Sequence, residues 1–228
     1  MTRKRWTRVL FVGISATLAF ATLTACSGGS SSESTTTARA QPFPQSARYV
    51  ADMKSPDGKP MTIGISVDGG ELAAYACNGS DDEAWFFGNH AAGKIDLTSK
   101  FRDTLTAQFD GADVEGDLTM NGVTYEFTAA PVSGEAGVYT ADLDGVRAAW
   151  VVREDGSAVG VQLNGFSGTL DQADIQQLND AQFRAEVRNK RQLQQAQQIT
   201  RLSNGAMSSR INGTDVTPTP VTGAFRLS

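Results

Sequence analysis

Short runs of β-favouring residues, separated by Asp-Gly and Asn-Gly pairs, dominate the chain between residues 48 and 161. Within Val123–Thr128, the side chains of Val123, Tyr125 and Phe127 alternate with polar residues and therefore share one face of a predicted strand. Asp-Gly and Asn-Gly tolerate the positive φ angles of tight hairpins, and they recur roughly every ten residues. This pattern predicts a mainly β (α+β) protein, in which an antiparallel β-meander curls into a barrel or folds into a sandwich.

An internal similarity links residues 47–79 with residues 137–165. The motif Tyr-x-Ala-Asp begins at Tyr49 and again at Tyr139, and each copy is followed by two Asp-Gly pairs and then an Asn-Gly pair. Either this is a repeated three-stranded unit, or meanders with the same turns resemble one another by chance. We favour the repeat, within a single β-rich domain over residues 47–228.

Residues 171–201 differ in character, because they contain nine glutamines and neither glycine nor proline. This composition predicts a long Gln-rich helix near the C-terminus, with Asp171 as its N-cap. A continuous helix of this length would overhang a domain of this size. The alternative is a helix that breaks, and Asn179-Asp180 is the favoured position of the break. Residues 205–228 are then expected to form C-terminal strands: a hairpin near Met207–Ile211 and Thr214–Thr217, and a strand over Val221–Leu227.

The N-terminus has the pattern of an export signal. A basic segment, Met1–Arg8, precedes the apolar stretch Val9–Ala21, which ends in Leu23-Thr24-Ala25-Cys26. That tetrapeptide in this position resembles the lipobox of bacterial lipoproteins. The resemblance implies that residues 1–25 are a signal peptide, removed before Cys26, and that the Cys26 thiol carries a diacylglyceryl group with acyl chains such as palmitate. The alternative is an ordinary secretory signal in which Cys26 is incidental.

The region after the lipobox predicts a tether. Residues 26–46 are rich in serine, threonine and glycine, and residues 27–40 contain no large apolar side chain that could offset the entropy of ordering. Two acyl chains on one residue suffice for stable attachment to a bilayer. We therefore expect the folded part to be held at the extracytoplasmic face of the bacterial cell membrane by its lipid anchor.

The charge balance argues against nucleic acid as a partner. The whole chain carries a formal net charge of −5, and residues 1–25 contain four basic and no acidic residues, so the remainder stands at −9. An acidic body repels phosphate backbones.

Few residues are available for chemistry. Cys77 closes an apolar run and is expected to be buried, and His90, the sole histidine, lies in a segment that reads as an exposed turn. The acidic run Asp81-Asp82-Glu83 is expected to consist of solvated loop charges. We therefore predict no catalytic residue, no metal site and no cofactor, although a carboxylate pair brought together by folding would escape this reasoning.

The only aromatic concentration is Trp85-Phe86-Phe87. In a strand, Trp85 and Phe87 face one way and Phe86 the other. Burial on both sides of a central strand is the favoured interpretation, and an exposed patch for a ligand or protein is the alternative. If the meander encloses a cavity, its candidate ligand-binding residues form this set: Trp85, Phe87, Tyr125, Phe127 and Trp150.

These observations predict a membrane-anchored cell-envelope lipoprotein with a non-catalytic binding or scaffolding role. The Ala-Tyr-Ala-Cys-Asn-Gly motif at residues 74–79, followed by Glu83-Ala84-Trp85, is similar to small β domains of exported actinobacterial proteins and implies no activity. In the first hypothesis, residues 172–200 and the β domain contact an envelope protein. The alternatives are a carrier of a lipid or other apolar ligand inside the β domain and, more weakly, a carboxylate-dependent envelope hydrolase.

Overall fold

The computed structural model describes residues 40–167 and 172–227, which are mainly β-strand, as the sequence predicts. Eight antiparallel strands form the first sheet. In chain order they are β1 (Ser46–Lys54), β2 (Pro60–Asp68), β3 (Glu71–Cys77), β4 (Glu83–Asn89), β5 (Lys94–Thr98), β6 (Thr104–Phe109), β7 (Val114–Met120) and β8 (Val123–Pro131).

This first sheet curls into a nearly closed barrel. Its spatial order is β4-β3-β2-β1-β8-β7-β6-β5, so the two edge strands, β4 and β5, are consecutive in the chain. An isolated bridge between Ala91 and Lys94 closes the turn between them. The two edges approach each other so closely at Gly88 that a Cβ there would collide with the side chain of Leu97.

Side chains fill the barrel interior. The inward positions alternate along each strand, and the largest completely buried residues include Tyr49, Ile63, Phe86 and Leu118. Fully burying each such side chain contributes about 1.5–3 kcal/mol. The barrel interior is therefore a packed core and not a ligand-binding cavity.

A second antiparallel sheet packs on the outside of β2 and β3. Its spatial order is β12-β11-β10-β9-β16, and its strands are β9 (Gly137–Leu143), β10 (Val146–Val152), β11 (Ala158–Phe166), β12 (Arg191–Gln195) and β16 (Thr219–Pro220). The two sheets touch at Gly64, where a Cβ would lie 2.5 Å from Val138 Cγ2. Because β2 and β3 are covered on both faces, almost every residue along them is buried.

Three short strands cover the opposite face of the second sheet: β13 (Thr200–Arg201), β14 (Met207–Ile211) and β15 (Thr214–Val216). Trp150 and Ile211 are completely buried in the core between them. The indole Nε1 of Trp150 donates a 2.8 Å hydrogen bond to the carbonyl of Gln197. The predicted hairpin over β14 and β15 is present. The predicted strand over residues 221–227 is wrong, because these residues run as irregular chain along the core between the barrel and the second sheet.

The predicted long Gln-rich helix is wrong. The region forms α1 (Gln172–Gln177), α2 (Asp180–Glu186), a 3₁₀ turn (Arg188–Lys190) and then strand β12. Asn179 separates the two helices, because its side chain accepts the backbone N–H of Gln182 in a capping box. Packing of Leu193 on the second sheet and pairing of β12 with β11 outweigh the helix preference of the glutamines.

The proposed internal repeat stays a hypothesis. Both segments form three-stranded antiparallel meanders, β1-β2-β3 and β9-β10-β11. However, the aligned pairs Asp57-Gly58 and Asp144-Gly145 occupy different connections. The first lies in the five-residue loop before β2, and the second forms the two-residue turn before β10.

Candidate functional site: an aromatic groove beside a buried ion network

A groove of about 480 Å³ opens beside strand β4, between the barrel and the second sheet. We call it the aromatic groove. Its apolar lining consists of Trp85, Phe87, Phe101, Leu163, Phe166 and Leu227. Volumes of this order are typical of small-molecule sites, which are mostly apolar with a few polar groups.

The alternation of Trp85-Phe86-Phe87 along β4 builds one wall of the groove. Phe86 is completely buried in the barrel core, while Trp85 and Phe87 lie on the other face. The rings of Trp85 and Phe87 stack with centroids 5.6 Å apart and an interplanar angle of 15°. The predicted division of the three side chains between the two faces is therefore confirmed, and both faces carry apolar contacts. The expectation of a central strand is wrong, because β4 lies at an edge of the first sheet.

Basic side chains dominate the charge of the groove. Lys100, Arg147, Arg191 and Arg226 all contribute to the lining, and Glu83 is the single carboxylate among its lining residues. The Arg147 Cζ lies 6.0 Å from the ring centroid of Trp85, and the Arg191 Cζ lies 4.4 Å from that of Phe101. The aromatic rings thus hold the guanidinium groups against the apolar wall.

A buried ion network lies next to the groove. Arg188, with a 3% exposed side chain, contacts Asp82 Oδ1 at 2.7 Å and Asp103 Oδ1 at 3.1 Å. Arg191 Nη2 also contacts Asp82 Oδ1, at 3.1 Å, and its Nη1 donates to the Glu83 carbonyl at 2.6 Å. The 3₁₀ turn therefore places the charge of Arg188 against Asp82, which precedes β4, and Asp103, which precedes β6.

This network corrects the expectation that Asp81-Asp82-Glu83 are solvated loop charges. Only Asp81 is exposed, and hydrogen bonds from Asn78 and Ser80 lower the pKa of its carboxyl. Glu83 is 2% exposed and pairs with Arg147, its Oε1 lying 3.0 Å from Nη2. The sequence contains no signal for this, because the partners are distant in the chain.

Burial shifts the pKa values of an acid and a base of the network in opposite directions. Desolvation raises the pKa of Asp103 above its ordinary value, although the Coulombic attraction of Arg188 opposes the shift. Desolvation, followed by the repulsion of Arg188, lowers the pKa of Arg191. Both shifts follow from charges that are removed from water and only partly compensated by their partners.

The two aspartates of the ion network are bound by the same arginine. Asp82 and Asp103 approach each other through Arg188, which contacts both carboxylates. Their charges are thus engaged in ion pairs that link the 3₁₀ turn to the barrel, and removing one partner from such a buried pair is costly.

The five predicted ligand-binding residues do not share one cavity. Trp85 and Phe87 lie together in the aromatic groove. Tyr125 and Phe127 lie in the barrel core, and Trp150 lies in the core on the far face of the second sheet. The remaining site residue, Cys26, lies outside the residues that the structure describes.

Cys77 and His90 have structural environments. Cys77 is completely buried, as expected, and burial raises the pKa of its thiol to about 12, so the reactive thiolate is suppressed. His90 is half-buried, which corrects its expected place in an exposed turn. Its Nε2 lies 3.0 Å from the Gly69 carbonyl oxygen, and its ring packs 4.8 Å from that of Phe43.

Two larger hollows lie elsewhere on the domain. One, of about 510 Å³ at the barrel end, is lined by polar side chains that include Asn78, Asp82 and Arg188. The other, of about 870 Å³, separates residues 133–136 from residues 198–201. Neither has the concentration of aromatic rings that distinguishes the aromatic groove.

Comparison with known proteins gives no information on function. No family model matches the chain, and no curated protein and no solved structure is significantly similar to it. Among the residues described, no helix has both the length and the apolar character needed to span a bilayer.

Proposed function

We propose that this protein is a lipid-anchored binding lipoprotein on the extracytoplasmic face of the bacterial cell membrane, and that its binding site is the aromatic groove. The anchoring part rests on the signal pattern and on Cys26 at the end of the lipobox-like motif. The non-catalytic binding part rests on the groove and on the engagement of the nearby acids in ion pairs.

The observation that carries the binding site is the exposure of aromatic surface in the groove. Phe166 is 43% exposed, and it shares the groove with Trp85, Phe87 and Phe101. Phe87 and Phe101 are half-buried, and Trp85, at 6% exposure, forms the buried side of this surface. A contiguous aromatic surface that remains open, with a polar rim, is typical of ligand and partner sites.

The groove also changes where an apolar ligand would bind. A carrier with its ligand inside the meander would require an empty barrel, and this barrel is filled by its own side chains. An apolar ligand instead fits between the barrel and the second sheet, in contact with Trp85 and Phe87. We therefore propose the groove, and not the barrel interior, as the ligand site of the carrier hypothesis.

A paired set of tryptophan variants tests this proposal. In the chain from residue 27 onward, which includes all three cores, the two tryptophans are Trp85 and Trp150. Trp150→Phe leaves the groove indole as the reporter, and Trp85→Phe leaves the distant one. We expect a medium-chain amphiphile such as decanol to change the emission of Trp85 saturably and that of Trp150 hardly at all. Equal responses, or none from Trp85, would contradict the proposed site.

An envelope protein partner through residues 172–200 is the second candidate. The observation that favours it is the polarity of α2, which buries Phe183 alone and exposes Ala185 and Glu186. Deleting the whole segment would not be a clean test, because Arg188 and β12 belong to the fold. Changing the charges of the exposed face, with Ala185→Glu and Glu186→Lys, should abolish cross-linking to a partner in intact envelopes. Unchanged cross-links would exclude α2 as the contact.

A further inference from the structure

We infer that the aromatic groove binds an amphiphile with a carboxylate head, such as a fatty acid, and that Trp85, Arg147 and Lys100 recognise the head. This inference rests on the proposed function and specifies its ligand class. It comes from two unpartnered donors, from the charges around the groove and from its apolar lining.

Two enclosed N–H donors beside the groove have no acceptor in the part of the chain that the structure describes. They are the indole Nε1 of Trp85, a residue only 6% exposed, and the Nε of Arg147. Both residues line the groove, and the Arg147 guanidinium lies 6.0 Å from the Trp85 ring. Buried donors are normally satisfied, so two neighbouring exceptions point to an acceptor on the ligand.

The charges identify the acceptor as an anion. Arg191 pairs with Asp82, Arg226 with Glu71, and Arg147 with Glu83 through its Nη2. Lys100 is exposed and forms no ion pair with any described residue. The free positive charge of Lys100 and the free donor of Arg147 therefore favour a negatively charged group in the groove.

The balance between apolar and cationic surface favours a carboxylate over a phosphate. Aromatic and leucine side chains supply most of the lining, which suits a hydrocarbon body. Because the ion pairs already engage Arg191 and Arg226, a single unpaired cation remains, as suits a singly charged head. A dianionic phosphate would call for more free cations.

Calorimetric titration of the chain from residue 27 onward with four ten-carbon ligands tests the inference. Decanoate, decanol, decylamine and decyl phosphate share one hydrocarbon chain and differ in the head. Charge-assisted hydrogen bonds to enclosed donors should make decanoate bind at least about tenfold more tightly than decanol. Decylamine should bind more weakly than decanol because it meets the cations.

Three variants separate recognition of the head from packing of the chain. Lys100→Gln should weaken decanoate several-fold and leave decanol unchanged, whereas Lys94→Gln, an exposed lysine outside the groove lining, should change neither. Trp85→Phe keeps an aromatic ring but removes the Nε1 donor, so it should also reduce the preference for decanoate. Circular dichroism confirms folding, and the exposed Lys100 variant keeps the test valid if Trp85→Phe unfolds.

The possible failures are distinguishable. Equal affinity for decanoate and decanol would overturn the carboxylate inference and leave the groove as an apolar site. Tighter binding of decyl phosphate than of decanoate would also overturn it, in favour of a phosphate head. Absence of binding by all four ligands would overturn both this inference and the proposed site.

Discussion

The barrel interior and the barrel end where Arg188 lies are both buried, yet opposite kinds of chemistry hold them together. Inside the barrel, Phe86 packs among apolar and aromatic side chains such as Ile63 and Leu118. At the barrel end, Arg188 reaches Asp82 and Asp103 from a 3₁₀ turn. The barrel interior follows from the alternation of apolar and polar residues along each strand, which the sequence shows. The ion network depends on charged side chains that come into contact only after folding. The following experiments test this difference, from the largest expected effect on stability to the smallest.

Removing a large side chain from the barrel interior should have the largest effect. Phe86 is completely buried, so Phe86→Ala leaves a cavity and should lower the free energy of unfolding by about 4 kcal/mol. Phe87→Ala, on the opposite face of the same strand, is the matched control and should cost less because Phe87 is half-buried. Chemical denaturation measures both. Equal losses would mean that the two faces of β4 are equally packed.

Breaking the ion network from its cationic side should have the next largest effect. Arg188→Met leaves the carboxylates of Asp82 and Asp103 without their shared partner, which should cost about 3 kcal/mol. Arg184→Met, on the preceding helix, should stay within about 0.5 kcal/mol. Adding Asp103→Asn to Arg188→Met should restore part of the loss, as measured by urea denaturation. No restoration would mean that Arg188 acts by packing alone.

The pH dependence of stability should differ in sign between two aspartates. The folded pKa of Asp103 is raised, so its contribution to stability is complete below pH 3.8 and is lost as pH rises through the folded value. The hydrogen bond from Arg153 lowers the pKa of Asp52, so its contribution is present above pH 3.8 and is lost on acidification. Denaturation across this pH range should show that Asp103→Asn and Asp52→Asn remove slopes of opposite sign. Slopes of the same sign would contradict the burial argument.

Removing an exposed aromatic ring from the groove should hardly affect the stability of the domain. Phe166 is 43% exposed, so Phe166→Ser should change the free energy of unfolding by no more than about 0.5 kcal/mol while weakening decanol binding several-fold. Leu202→Ser, at 47% exposure outside the groove, is the control and should leave binding unchanged. Thermal melts and calorimetric titration separate the two effects. A large loss of stability in Phe166→Ser would make the residue part of a core.

Changing the proposed anchor should not affect the stability of the domain, because the core residues in the described part of the chain begin at Phe43. Cys26→Ala should abolish the acyl mass at the N-terminus, block processing before residue 26 and alter electrophoretic mobility. Mass spectrometry of the envelope-purified protein measures this. A wild-type N-terminus without acyl mass would contradict lipid attachment.

Local backbone preference accounts for what the sequence by itself determined. Asn121-Gly122, Asp144-Gly145 and Asn212-Gly213 all adopt positive φ, as their residue types favour, and each joins two antiparallel strands. The apolar alternation likewise divided Trp85 and Phe86 between opposite faces of β4. The mainly β fold class, the positions of the hairpins and the burial of Cys77 were predictable because each depends on a few neighbouring residues.

Tertiary structure decided the Gln-rich region and the groove. Helix propensity predicted the wrong element for residues 191–195, because the decisive contacts are pairing with β11 and a hydrogen bond from Arg191 to Glu83, more than a hundred residues away. The aromatic groove needs Trp85 from the barrel and Phe166 from the second sheet. The local sequence pattern determines backbone angles. It does not determine which distant surfaces will pack together or which charged side chains will become buried between them.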